Sequence, residues 1–292
     1  MKIREVNPNI CKEEILGVSY SGGGNRGAVH LGIMKALIES DIKPTRIAGV
    51  SAGAYVGAFH AADPSSLSYF SLARDLIAQM GRELFGLSAV QVATKFLAQG
   101  LKMKSLGSLD ALESFMIKNL PFKTFEELKI PLEIGVTNEK NGQDTWISKG
   151  DIIKPLLATA AVPGILPPVE INGNLYLDGG ATDNLPLFQL AKERCGSLYA
   201  ANAGYGGQAL RGPKNFLETM IAARELAHYQ TERYEEELIR CLYPNIKIIH
   251  IEPRVGLDLP PYDFTPEKID QIIEESYAKT KEILTEIKKS PS

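Results

Sequence analysis

The stretch PTRIAGVSAGAYVGAFHAA (residues 44–62) decides how this chain folds. PTRIAGV (44–50) is an apolar run suited to a buried strand, and SAGAYVGAFHAA (51–62) is a helix of mostly small residues. At their junction stands Gly49-Val50-Ser51-Ala52-Gly53, a serine with a glycine two positions away on each side. A sharp strand-to-helix turn pushes its central residue clear of the sheet in a strained backbone conformation. The positions two before and two after then come so close that side chains there would clash. Gly49 and Gly53 meet that demand, and Ser51 Oγ is expected at the N-terminus of a helix, where the dipole favours developing negative charge.

Upstream, EILGVSYS (14–21) is another short apolar run, and AVHLGIMKALIES (28–40) places Val29, Ile33, Ala36 and Leu37 at helical spacing. Strand, helix, strand, helix in this order predicts an α/β fold with a parallel sheet and right-handed crossovers. Between the first strand and helix lies GGGNRG (22–27), and its Gly22-x-Gly24-x-x-Gly27 spacing satisfies the dinucleotide-binding fingerprint. A dinucleotide site also needs an acidic residue at the end of the second strand. The chain has GVSAG there, and Asp41 precedes the strand, at its wrong end. A nucleotide-binding domain is therefore the weaker alternative. In a parallel sheet neighbouring strands end at the same edge, so the glycine loop is expected to face Ser51. The amides of Gly23 and Gly24, with that of Ala52, would form an oxyanion hole for acyl transfer. Arg26 either adds positive charge there or anchors the loop through a carboxylate.

A serine nucleophile needs a base. The chain has four histidines. His30 and His60 fall within or at the end of the first two helices and read as packing residues. His228, in the charged helix ETMIAARELAHYQTERYEEEL, reads as solvent-facing, and His250, inside IKIIHIEP, as a core histidine. Asp178 ends the strand of a predicted hairpin and is followed by Gly179 and Gly180, which permit a close turn and leave the carboxylate accessible. A Ser51–Asp178 pair suffices chemically if burial raises the carboxylate's pKa. Asp183, the rival acid, reads together with Asn184 as a candidate N-cap of the helix LPLFQLAKERC. A histidine triad in the order Ser, Asp, His, ending at His228 or His250, is the competing mechanism.

The remaining chain frames this site. Residues 64 to about 130 read as a helical insertion, with helical patterns in SSLSYFSLARDLIAQM and SAVQVATKFLAQG. They serve either as packing helices or as a lid or lipid-contacting surface. PLEIGVTNEKNGQDTWIS (131–148) and VEINGNLYLDGG (169–180) read as hairpins turning at Asn141-Gly142 and Asn172-Gly173. SLYAANAG and IKIIHIEP are late strands. A terminal helix is expected over about 265–289, with Thr265 as cap, Pro266 at its first position and an isoleucine stripe docked on the body. With no repeat or linker, residues 1–292 are expected to form a single domain.

The composition is 44% hydrophobic and 23% charged, ordinary for a globular protein, and the formal net charge of −3 gives no case for nucleic-acid binding. Cys11, Cys195 and Cys241 are too scattered for a metal site or a disulfide framework, which points to a reducing compartment. The polar N-terminus and the lack of a long apolar run lead to the expectation of a soluble, cytoplasmic protein.

Taken together, GGGNRG (22–27), GVSAG (49–53) and DGG (178–180), with ATAAVPGILPPV (158–169) and DNLP (183–186), resemble the patatin-like phospholipases of the bacterial soluble kind from about residue 14 to 200. The resemblance implies a three-layer α/β/α fold with a mainly parallel central sheet and a Ser–Asp dyad without histidine. Ser51 would be the nucleophile and Asp178 its activator, with Gly22 to Gly24 and Arg26 forming the oxyanion site. It further implies lipid or acyl-ester substrates and no metal or cofactor. Head group, acyl length and oligomeric state are not indicated.

Overall fold

The computed structural model describes residues 12–85, 105, 107–204, 212–213, 216–256 and 265–289. The first two apolar runs form adjacent parallel strands, β1 (Lys12–Tyr20) and β2 (Arg46–Val50), with Gly17 opposite Arg46 and Tyr20 opposite Gly49. On one side the sheet continues in parallel through β7 (Cys195–Ala201) and β8 (Lys247–Ile251). On the other it continues through β3 (Leu132–Asn138), which is parallel to β2. The strands β4 (Asp144–Ile147), β5 (Val169–Ile171) and β6 (Asn174–Asp178) pair antiparallel and complete an eight-stranded sheet among the described residues.

Helices cover both faces, which explains why the central strands lack polar alternation. On one face lie α1 (Gly27–Glu39), α2 (Ala52–Ala62), α3 (Phe70–Phe85), α4 (Asp110–Asn119), α5 (Ile153–Thr159) and α8 (Pro266–Lys289). They bury Val18, Tyr20 and Ile47 of the sheet. On the opposite face α6 (Leu187–Lys192) and α7 (Phe216–Leu242) cover Ala48, Leu198 and Ala200. The architecture is thus a mostly parallel central sheet between two helical layers. Helices α3 and α4 pack into the first core through Leu76, Ile77, Met80, Leu112 and Met116, while the helical pattern at 88–100 lies outside the described residues. No helix among the described residues is long and apolar enough to cross a membrane.

The register of β3 positions the site. Val50 of β2 stands opposite Gly135, and Asp178 of β6 stands opposite the next residue, Val136. Strand β4 pairs with both Gly135 and Val136 and therefore takes the other edge of β3. Strands β2 and β6 consequently share one edge, running toward each other, and their last residues meet end to end. The β5–β6 hairpin that delivers Asp178 turns at Asn172 and Gly173, whose φ values of 51° and 77° suit a tight primed turn.

Two packing features stand out at the C-terminal end. Helix α8 buries Ile269, Ile272, Ile273 and Leu284. It lies so close to α1 that a Cβ on Gly32 would stand 2.6 Å from the carbonyl of Ile273, while Ser276 Oγ donates to the Val29 carbonyl at 2.7 Å. Helix α7 buries Ile239 but mixes polar and apolar residues on both its sides. Met220, Leu226, Tyr234, Leu238 and Leu242 are exposed, whereas Glu232 and Glu235 turn inward. Glu235 accepts the backbone N–H of Phe188 at 2.6 Å, and Glu232 accepts the amides of Asn184 and Asn202 at 3.3 and 3.0 Å. Charge in α7 therefore does not mark its solvent side.

Burial pushes the Glu232 carboxyl up to about 7, burial and the Asp144 charge raise Asp183, and burial and the Asp183 charge raise Glu235. An acid whose folded value is raised loses stability as pH climbs from its unfolded value through its folded one. Glu232→Gln keeps one of the two accepting oxygens and removes the titration. Its thermal midpoint should gain on the wild type by a few degrees between about pH 5 and about pH 8. A difference that does not change with pH contradicts the assignment.

Candidate active site

Ser51 adopts φ 49° and ψ −131°, a region that costs a non-glycine residue about 1–3 kcal/mol. Its surroundings hold it there. A Cβ on Gly53 would lie 2.4 Å from the Ser21 carbonyl oxygen and 2.5 Å from that of Tyr20, so the first turn of α2 presses directly on the end of β1. A Cβ on Gly49 would lie 2.9 Å from the backbone of Ala54. The Ser51 N–H donates to Thr159 Oγ1 at 2.7 Å, and that hydroxyl donates onward to the Gly135 carbonyl at 2.7 Å. Thr159 thereby ties the turn to β3, a role that nothing about its small-residue segment announces.

Ser51 Oγ donates to Asp178 Oδ2 at 2.9 Å. The other carboxylate oxygen, Oδ1, accepts the N–H of Gly180 at 2.7 Å. Gly179 is required by its neighbour, since a Cβ there would stand 2.2 Å from the Gly135 carbonyl oxygen. Ser51 and Asp178 are 7% and 1% exposed, so both groups lie below the surface. Burial raises the Asp178 pKa above its ordinary value, opposed by the Arg224 guanidinium and by the Ser51 and Gly180 hydrogen bonds.

The glycine loop closes over this pair. A Cβ on Gly22 would be 3.4 Å from Ser51 Cβ and 2.5 Å from Asn184 Oδ1. The Gly22 N–H is committed to the Asn184 carbonyl at 2.9 Å, whereas no described residue bonds the amides of Gly23, Gly24 or Ala52. Gly24 sits at φ 58°, and a Cβ on Gly27 would meet Ala52 Cβ at 2.7 Å, locking loop to turn. Arg26 is buried and ion-paired by a short contact with Glu225 of α7, so it holds the loop down through a carboxylate.

The histidines lead elsewhere. His30 Nε2 bonds the Ser21 carbonyl oxygen at 2.7 Å and His60 Nδ1 bonds the Tyr20 hydroxyl at 2.8 Å, and burial lowers their pKa values to about 4 and about 3. His250 is not a core residue. It is exposed on β8, ion-paired to Glu236, and raised in pKa by that partner. His228 is not solvent-facing either, because α7 turns it toward Gly180 and its Nε2 accepts from Arg224 Nε at 3.2 Å. Asp183 and Asn184 do not cap α6. Pro186 occupies the N-cap position without a side-chain bond, and Asn184 instead braces Gly22 and Glu232.

Sequence reading missed Arg224 and Glu225, which approach the site from α7 together with His228. Arg224, His228 and Glu232 recur at four-residue spacing, and that polar stripe was the available signal.

The family model for patatin-like phospholipases matches residues 18–191, more than half of the chain. Lysophospholipase NTE1 of Kluyveromyces lactis is 28% identical over 191 residues, covering 65% of this chain and 13% of that protein. The NTE family protein Rv1063c of Mycobacterium tuberculosis is 28% identical over 211 residues, covering 72% of this chain and 54% of that protein. The chain thus spans about half or less of these relatives. Among solved structures, VipD from Legionella pneumophila aligns with a TM-score of 0.48 at 17% identity, covering 94% of this chain and 67% of that one. With its matched segment holding the glycine loop, the serine turn and the aspartate hairpin, the chain belongs to the patatin-like phospholipase family.

Proposed function

We propose that this protein is a serine acyl hydrolase acting on acyl esters of lipids, with Ser51 as nucleophile and Asp178 as its base. The observation that carries this reading is the 2.9 Å hydrogen bond from Ser51 Oγ to a buried carboxylate, beside a glycine loop whose Gly23 and Gly24 amides no described residue bonds. Family membership supports a lipid substrate, and the lysophospholipase activity in the name of the yeast relative supports a lysophospholipid among the candidates.

In the first half-reaction Ser51 Oγ attacks the ester carbonyl carbon as its proton passes to Asp178 Oδ2. The carbonyl oxygen becomes an oxyanion facing the amides of Gly23, Gly24 and Ala52 at the N-terminus of α2. Collapse breaks the bond to the alcohol, which leaves with the proton held on Asp178, and an acyl-Ser51 ester remains. Water then attacks that ester, giving its proton to Asp178. The second collapse releases the carboxylic acid and returns the proton to Ser51 Oγ. Ester and water are consumed, acid and alcohol are formed, and the enzyme is unchanged.

Burial serves this scheme. A carboxylate raised above its ordinary pKa is a stronger base than one in water, and the strained turn holds Oγ within its reach. The elements that supply the site run from β1 to α7, and we read them as parts of a single hydrolase domain over residues 1–292.

Ser51→Ala and Asp178→Asn should each lower kcat/KM toward a soluble ester by about a thousandfold or more. Both variants should remain folded, and Ser51→Ala should lose fluorophosphonate labelling. Substantial turnover in folded Ser51→Ala overturns the reading. His250→Gln should keep activity within about twofold, because this histidine lies outside the site. A collapse in its turnover would instead favour a histidine triad. The rate should fall on acidification through a value above the ordinary aspartate range, since Asp178 must be ionised to act.

A further inference from the structure

Helix α7 lies beyond the residues that the family model matches, yet it reaches the base. Arg224 Nη2 stands 3.7 Å from Asp178 Oδ1, the oxygen that does not face Ser51. Arg224 Nε donates to His228 Nε2 at 3.2 Å, one turn along the helix. His228 in turn lies against Gly180, whose own N–H donates to Asp178 Oδ1. The four groups close a ring around one carboxylate oxygen. A neutral His228 fits this ring, because Nε2 must be unprotonated to accept from Arg224. Burial and the adjacent guanidinium accordingly push its pKa down to about 4. Next in sequence, Glu225 grips Arg26 of the glycine loop, which fixes the rotation of α7 over the site.

We propose that Arg224 is a positioning residue that keeps Asp178 ionised, with His228 orienting it, so that α7 completes the catalytic base. The proposal rests on the Ser51–Asp178 reading above. A carboxylate 1% exposed has lost the water that would stabilise its charge. Among the described residues its two hydrogen bonds come from a hydroxyl and a backbone N–H, both neutral donors. Arg224 supplies the positive charge. The other groups facing Asp178 supply none. Tyr55 donates its hydroxyl to the Leu156 carbonyl and is pushed far up in pKa by burial, His228 is neutral, and Arg26 is balanced by Glu225. Glu232, farther along α7, is occupied by Asn184 and Asn202. Once Asp178 has taken the proton of Ser51, the guanidinium beside a neutral acid favours handing that proton on to the leaving alcohol. The same cation therefore keeps Asp178 ionised at lower pH and favours proton release, at the cost of some basicity toward Ser51.

The test is the pH dependence of kcat/KM on a monomeric p-nitrophenyl ester, for wild type, Arg224→Gln, Arg224→Lys and His228→Gln. Removing an opposite charge at this distance moves a carboxyl by about one pH unit or more, and the Arg224 side chain, 35% exposed, places the effect at the low end. Arg224→Gln should therefore shift the acid limb upward by about one pH unit, which is about a tenfold loss of rate on the limb. Arg224→Lys should return most of the shift, and His228→Gln should produce part of it. In a Ser51→Ala background, carbon-13 NMR titration of the Asp178 carboxyl should show the same displacement on Arg224→Gln without any turnover. An unmoved titration in that background overturns the proposal whether or not the enzyme is active. An Arg224→Gln effect confined to KM for phospholipids also overturns it, because the guanidinium would then contact substrate phosphate. Loss of Ser51-dependent activity in the wild type itself would count against the hydrolase reading alone.

Discussion

Strand β3 carries neither Ser51 nor Asp178, yet its edge places both. Strands β2 and β6 occupy successive segments of that edge from opposite directions, and the step from Gly135 to Val136 is where they meet. Backbone pairing fixes this junction, so the separation of Ser51 and Asp178 does not depend on side-chain packing alone. Thr159 reinforces it by bonding the Gly135 carbonyl on one side and the Ser51 amide on the other. The glycines near the junction follow from the same crowding. Where two strand ends and a helix start converge on one carbonyl, there is no volume left for a Cβ.

The strain in Ser51 and the desolvation of Asp178 both oppose folding, and the surrounding sheet offsets them. Two helical layers bury the sheet on both faces, and each large apolar side chain removed from water contributes about 1.5–3 kcal/mol. A strained turn and a dehydrated acid are small against that sum. They are also the two features that make the hydroxyl accessible to a base and the base strong enough to take its proton.

Much of this was legible before any coordinate. Gly49 and Gly53 report a steric demand that few other residues satisfy, and Asn172-Gly173 specifies a turn by its φ values. The strand–loop–helix order of residues 14–62 leaves few topologies open. What was not legible depends on faces. The charged residues of α7 suggest a solvated side, but Arg224, Glu225, His228, Glu232 and Glu235 turn inward because their partners are Asp178, Arg26, Gly180, Asn184 and Phe188. Periodicity marks a stripe without saying which way it points. His250 misled for a similar reason, since its apolar neighbours on β8 face inward while the imidazole faces Glu236 on α7. The start of α6 was misplaced because Asn184 serves the glycine loop and α7, leaving Pro186 at the helix boundary.

The contact between α1 and α8 bears on how the chain reaches this state. Ser276 Oγ bonds the Val29 carbonyl across 247 positions of sequence, and Gly32 is bare of side chain so that α8 can lie against it. During vectorial synthesis α1 leaves the ribosome long before the helix that shelters it exists. Until then one apolar flank of the first βαβ unit stays wet and open to mispairing. Closure of so distant a pair belongs among the late and slow events of folding.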